Sequence, residues 1–142
     1  MAEQRERPYT GSNFLVALGE GDGRAPAAGF AEVFFPPFAV DRTREPGASP
    51  DPPAGNVLVL RRGVTGSLDL YHWWNEARRS PAEPPHRTIT VQLLGEDKAT
   101  VVLTWRFLRA HPVSLSYSPL RAMDDSVLME TVELAFAAVE MS

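Results

Sequence analysis

The sequence predicts a mainly β fold: a small antiparallel barrel or sandwich of about seven strands with one short helix. Three observations carry that prediction. Short apolar runs, several of them alternating with polar residues, recur along the chain between Gly, Asp and Pro turn signals. The 13 prolines cluster, ending one run at Pro36-Pro37, filling a loop at Pro46 to Pro53 and stiffening a connector at Pro81 to Pro85. A 3.6-residue apolar spacing with both ends marked occurs once, after Ser67.

The elements follow in order. Residues 1–12 are polar and read as a flexible N-terminal arm of a single domain spanning residues 1–142. Asn13 to Leu18 is the first predicted strand. Gly19-Glu20-Gly21-Asp22-Gly23 after it reads as a hairpin turn, because Gly and Asp tolerate the positive φ that hairpins need. That glycine run lacks the lysine and the following helix of a phosphate loop. Phe30 to Phe35 is the second strand. Residues 41–56 hold too little apolar surface for a core of their own and read either as a contact loop or as disorder. Val57-Leu58-Val59-Leu60, running into Arg61-Arg62, fits a strand covered on both faces at one end.

The helix comes next. Leu70, Trp73, Trp74 and Ala77 fall at i, i+3, i+4 and i+7, on one side of a helix. Asp69 in the first turn and Arg78 and Arg79 in the last suit the helix dipole. Thr65 or Ser67 can cap the start, and Ser80-Pro81 stops the helix. Leu70, Trp73 and Trp74, with Trp105 further on, are the candidate anchors of the fold. Thr88 to Leu93 alternates, with Ile89, Val91 and Leu93 inward, and Gly95 to Lys98 is a hairpin turn. Val101, Leu103, Trp105 and Phe107 share one face of the next strand, opposite Thr104 and Arg106. Val113 to Ser118 reads as a separate half-exposed strand, and residues 127–139 as the last, with Val132, Leu134 and Phe136 inward. Glu130 shares that inward face, so it needs a partner such as an arginine, in the same or a neighbouring chain.

Composition excludes several chemistries. There is no cysteine, hence no disulfide, thiolate metal site or cysteine nucleophile. A net charge of −4 gives no general pull toward nucleic acid or anionic membrane. The first eight residues carry both charge signs and no apolar run, unlike a signal peptide, and no stretch approaches the ~20 apolar residues of a bilayer span. His72, His86 and His111 are far apart in the sequence, and only His72 with Glu76 forms a local pair, short of a zinc ligand set. Gly66-Ser67 lacks the frame of a nucleophile elbow, and Asp124-Asp125 reads as a solvated turn. No catalytic, cofactor or metal residue is therefore assigned.

Several motifs nevertheless coincide in order. Asn13-Phe14-Leu15-Val16 precedes Ala28-Gly29-Phe30-Ala31-Glu32-Val33, then Gly55-Asn56-Val57 and Leu60-Arg61-Arg62-Gly63-Val64-Thr65, then Leu70 with Trp73-Trp74-Asn75. Arg87 to Leu94, Trp105-Arg106-Phe107, Ala110-His111-Pro112-Val113 and Met129 to Leu134 complete the series. Together they resemble the tail tube protein family of contractile phages and related contractile injection systems, over nearly the whole chain. The resemblance implies a structural protein rather than an enzyme. Copies would close into hexameric rings by strand pairing across subunits, and the rings would stack into the inner tube within a contracting sheath. The implied partners are the chain itself, a sheath protein, baseplate or tube-initiator and tube-terminator proteins, and protein cargo in the lumen. No cofactor is implied. Assembly in the cytoplasm, as part of a virion or tail-like particle, goes with it.

Within that resemblance Arg61, Arg62, Glu130, Pro46, Pro50 and Pro53 are candidate inter-subunit contacts. Thr88, Thr90, Gln92, Thr104 and Arg106 are candidate lumen or interface positions. The loop departs from the family pattern, with Pro50-Asp51-Pro52-Pro53-Ala54 where a Lys-Leu-Pro-Gly-like segment is expected. A tube-initiating or baseplate-proximal paralogue therefore stays open beside the main tube subunit. A monomeric β-barrel binding module, with a pocket at Trp73 or Trp74, is the alternative outside the family.

Overall fold

The computed structural model describes residues 7–19, 29–40 and 56–142. Seven strands and one helix lie in them, in the order β1 (Phe14–Leu18), β2 (Phe30–Phe34), β3 (Val57–Gly63), α1 (Asp69–Arg79), β4 (Arg87–Leu94), β5 (Val101–Tyr117), β6 (Met129–Ala135) and β7 (Ala138–Met141). Every strand pair is antiparallel. The spatial order is β1-β4-β5-β6-β3-β2, with β7 pairing β5 off that path.

β5 is the pivot of this arrangement. Its first half pairs β4 on one side and β7 on the other, whereas His111 to Tyr117 pairs β6. One strand thus belongs to both sheets, and it turns the corner between them through bulges. Thr88 on β4 faces both Leu108 and Arg109, because the register runs from Ile89↔Phe107 to Arg87↔Ala110. Arg109 occupies that irregularity with φ of +55°. Two further irregularities fall at the start of β5, opposite Leu93 and Leu94, and between Pro112 and Ser114. The sequence suggested a break at Ala110-His111-Pro112 and two strands. The structure instead runs one strand through it, since a bulge removes the ladder hydrogen bond that Pro112 is unable to donate.

Three further expectations are corrected. The Gly19 turn is not part of a hairpin between its flanking strands: among the described residues β1 pairs only β4, and β2 pairs only β3. Of that turn, only Gly19 is described, at φ +115°. β3 is not covered on both faces but alternates, with Leu58, Leu60 and Arg62 buried and Val57, Val59 and Arg61 half-buried. The predicted last strand is two, because the chain turns at Phe136-Ala137 and β7 crosses to β5. There the Ala137 N–H donates to the Leu108 carbonyl at 2.9 Å. Beside β7, Thr104 is buried while Leu103 is exposed. Thr104 and Ser142 exchange backbone hydrogen bonds of 2.9 and 3.0 Å, which extends the β7 pairing over that side.

The core lies between the two sheets. Leu58 and Leu60, Ile89 and Val91, Phe107 and Ala110, and Val132 and Leu134 come from the four central strands, and Val16, Phe30 and Phe136 close around them. α1 packs on β5 and adds Leu70 and Trp73, each 1% exposed, while Ala77 is buried one turn on. Burying one such side chain is worth about 1.5–3 kcal/mol. The buried set is the i, i+3, i+7 part of the predicted stripe. Trp74, the i+4 member, is only half-buried and lies beside Tyr71 and Arg78 on the outer side. Trp105 is half-buried, packed on the edge of the core and against Phe35, 4.9 Å between ring centroids. At the cap, Ser67 of the two expected residues contributes, its Oγ accepting from the Asp69 N–H at 3.4 Å. Leu68 occupies the N-cap without a side-chain bond, and the Asp69 carboxylate accepts from the Leu70 N–H at 2.9 Å.

Candidate assembly surfaces and charged sites

The sequence-predicted contact residues divide into three groups. Arg62 and Glu130 are register partners on β3 and β6, and both face inward at 6% and 3% exposure. Arg62 Nε donates to Glu130 Oε1 at 2.5 Å, and the other end of the guanidinium donates to Asp69 at the start of α1. The partner that Glu130 needs is therefore an arginine of its own chain, and the pair is not a surface contact. Arg61 points the other way. It pairs with Glu32 of β2 at 3.0 Å with both side chains well exposed, so it stays available at the surface. Pro46, Pro50 and Pro53 lie outside the described residues.

Electrostatics follow from the burial. Burial pushes the Asp69 carboxyl up, but hydrogen bonds from Arg62 and Ser67, the Arg62 charge and the Leu70 N–H together hold it below the ordinary carboxylate range. The network ties α1 to both β3 and β6, and the guanidinium also lies 5.3 Å from the Phe30 ring centroid. Burial, with the neighbouring Glu130 charge, raises the Tyr117 phenol.

The histidines are less scattered than the sequence suggested. His86 and His111 meet edge to face, 5.3 Å between ring centroids, because β4 begins beside the middle of β5. His72 lies exposed on α1, against Tyr71. Among the described residues no three of His, Asp and Glu converge as metal ligands.

Two surface features remain. β1 and β2 end the strand order and flank an apolar groove of about 400 Å³ that includes Phe14, Val33, Phe34, Phe35, Leu93 and Trp105. Neither strand has a second neighbour among the described residues, so each presents an unpaired edge. The connection between β5 and β6 projects Leu120, Met123 and Val127, at 84%, 104% and 70% exposure. Among the described residues β7 likewise pairs only β5, and a chain with open edges and exposed apolar tips has the surface of a component made to be covered by others.

The sequence matches the family described as T4-like virus tail tube protein gp19 over residues 48–140, more than half of the chain. This chain belongs to that family. The match spans β3, α1 and β4 to β6, the elements that hold most of the core. The fold is likewise similar to solved tube-related proteins. A chain from the sheath–tube complex of an extracellular contractile injection system, PVC, is 20% identical with a TM-score of 0.72, covering 96% of this chain and 93% of that one. A chain from the tube-terminating cap of the anti-feeding prophage, AFP, is 18% identical with a TM-score of 0.76, covering 100% and 95%. Hcp1 from Flavobacterium johnsoniae is 15% identical with a TM-score of 0.57, covering 91% and 94%. No curated relative matches.

Proposed function

We propose that this tail tube family member is a subunit of the inner tube of a contractile, phage tail-like injection system, assembling as stacked hexameric rings inside a sheath. The family match over residues 48–140 carries the reading. The open edges of β1 and β2 support it, because a ring buries edges that a monomer leaves exposed. Its partners are further copies of itself, a sheath protein, and the baseplate and terminator proteins that start and end the tube. It is a structural protein with no active site, assembled in the cytoplasm into the particle. Purified full-length protein should form six-membered rings or stacked tubes in negative-stain images. A protein that stays monomeric at high concentration, with sheath and baseplate components present, would overturn the reading.

A tube-end paralogue is the second reading. The terminator and cap chains superpose with TM-scores of 0.75 and 0.76, beside 0.72 for the sheath–tube chain. A main subunit extends to long tubes at rising concentration, whereas a tube-end paralogue stops at one or two rings.

A further inference from the structure

A cleft of about 340 Å³ opens where the end of β1, the start of β4 and the bulge of β5 meet, lined by Gly19, His86, Arg87, Thr88 and Arg109. Two unrelated structural devices bring guanidinium groups to it. Arg87 lies over the ring of buried Trp73, 4.6 Å from the centroid, and Trp73 is itself held by its Nε1–H donating to the Pro85 carbonyl at 2.8 Å. A stacked guanidinium presents its fork of donors already oriented. Arg109 sits at the bulge with φ of +55°, a conformation that L side chains rarely adopt. Bulges of this kind re-aim a side chain out of the regular pleat.

Neither guanidinium forms an ion pair among the described residues, in contrast to Arg61 and Arg62. His86 feels the Arg109 charge. Burial and the Arg109 charge lower its pKa against the smaller opposing pull of Glu83. The cleft is therefore lined by two guanidinium groups and a histidine, in a chain whose net charge is −4.

We propose that this cleft is an oxyanion-binding site whose occupant is a carboxylate presented by a second copy of this chain. Two guanidiniums lining one cleft, with Thr88 and His86 beside them, supply the forked N–H donors that a carboxylate or phosphate accepts from. The second copy is favoured by charge complementarity. Exposed Glu76, Asp125 and Glu140 join no ion pair among the described residues, and such groups recur on every neighbouring copy. The choice of occupant rests on the tube reading; the cleft's anion chemistry does not.

The test uses the full chain and two probes. Thermal unfolding is followed against inorganic phosphate, with sodium chloride at equal ionic strength as control, for wild type, Arg109→Gln and Arg87→Gln. Wild type should gain about 3 °C at saturating phosphate beyond what Arg109→Gln gains, by linkage of binding to folding. Arg109 is exposed, so Arg109→Gln should unfold at the wild-type temperature in chloride. Arg87→Gln provides a second loss of the response without touching the bulge. An equal phosphate response in all three proteins would overturn the site. Ring and tube yield in negative stain then identifies the occupant. Arg109→Gln should assemble at least tenfold less readily than wild type, and phosphate should inhibit wild-type assembly more than chloride does. A phosphate response with unchanged assembly would overturn the second copy and leave a free-anion site. Wild type that forms no rings would sink the tube reading and with it this occupant, while the phosphate arm still decides the cleft.

Discussion

Trp73 joins several parts of the molecule through one side chain. It is buried in the core, its indole N–H satisfies the Pro85 carbonyl, and its ring carries Arg87. Truncation leaves a cavity and an unpaired carbonyl together, so Trp73→Ala should lose ~3–5 kcal/mol, the range for a buried aromatic. Urea unfolding followed by circular dichroism measures it, and a loss below ~1 kcal/mol would show that the ring does not support the core. The buried Arg62–Glu130 pair has a different signature. Glu130→Ala leaves a guanidinium buried beside only Asp69 and should lose ~3–5 kcal/mol, whereas Arg62→Met with Glu130→Leu should fall far short of the two single losses added together. A double-mutant cycle in urea checks this, and additive losses would mean that the two charges act independently.

At the scale of the element, α1 was readable because its signals are local. Leu70, Trp73 and Ala77 repeat with the helix, and the charges of Asp69, Arg78 and Arg79 mark its ends. Its docking was not readable, since Asp69 binds Arg62, which reaches it from β3. That contact gives the helix a pH dependence of known sign. The folded Asp69 carboxyl titrates below its ordinary value, so the contribution is fully present above the unfolded pKa of about 4 and is lost as pH falls through the folded pKa. Asp69→Asn should therefore destabilise the protein at about pH 6 and become progressively closer to wild type below about pH 4. Urea midpoints at the two pH values test it, and a pH-independent difference would rule the ion pair out. The fully exposed Asp97, held at about 2 by the Thr100 hydroxyl and the Ala99 and Thr100 N–H groups, titrates in the same acid range. It does so in both proteins and cancels in the comparison. In β5 the bulge imposes its own demand. Arg109→Val places a β-branched residue at φ +55° and should lose ~1–3 kcal/mol by the same urea assay, where no change would show that the bulge relaxes.

For the whole molecule, the decisive quantity is what happens to the open edges. In the free subunit the outer amides of β1 and β2 face no strand among the described residues, while β3, β4 and β6 are paired on both sides or near the centre of the order. On the tube reading, hydrogen exchange of β1 or β2 should slow by at least tenfold on assembly, with little change in the central strands, which are protected already. Slowing confined to the β5–β6 connection would instead mean that rings contact through tips and leave both edges bare. The groove between β1 and β2 makes the first outcome the natural one, because its apolar lining adjoins both edges.

Residues a few positions apart in the sequence were enough for the helix, for most strands, for the β4–β5 turn at Gly95 to Lys98 and for the inward face of Ile89, Val91, Val132 and Leu134. Alternation, helical spacing and turn chemistry all act over that range, and they also carried the family motifs. What depended on pairing between distant segments was decided only in three dimensions. The continuous β5 with its register irregularities, the separation of β1 from β2, and the split of the last strand are of this kind. So are the burial of Arg62 against Glu130, the meeting of His86 with His111, and the guanidinium pair at Arg87 and Arg109. A strand's alternation states which residues share a face, but its register and its neighbour determine whether a charge on that face meets a partner, a core or an open cleft.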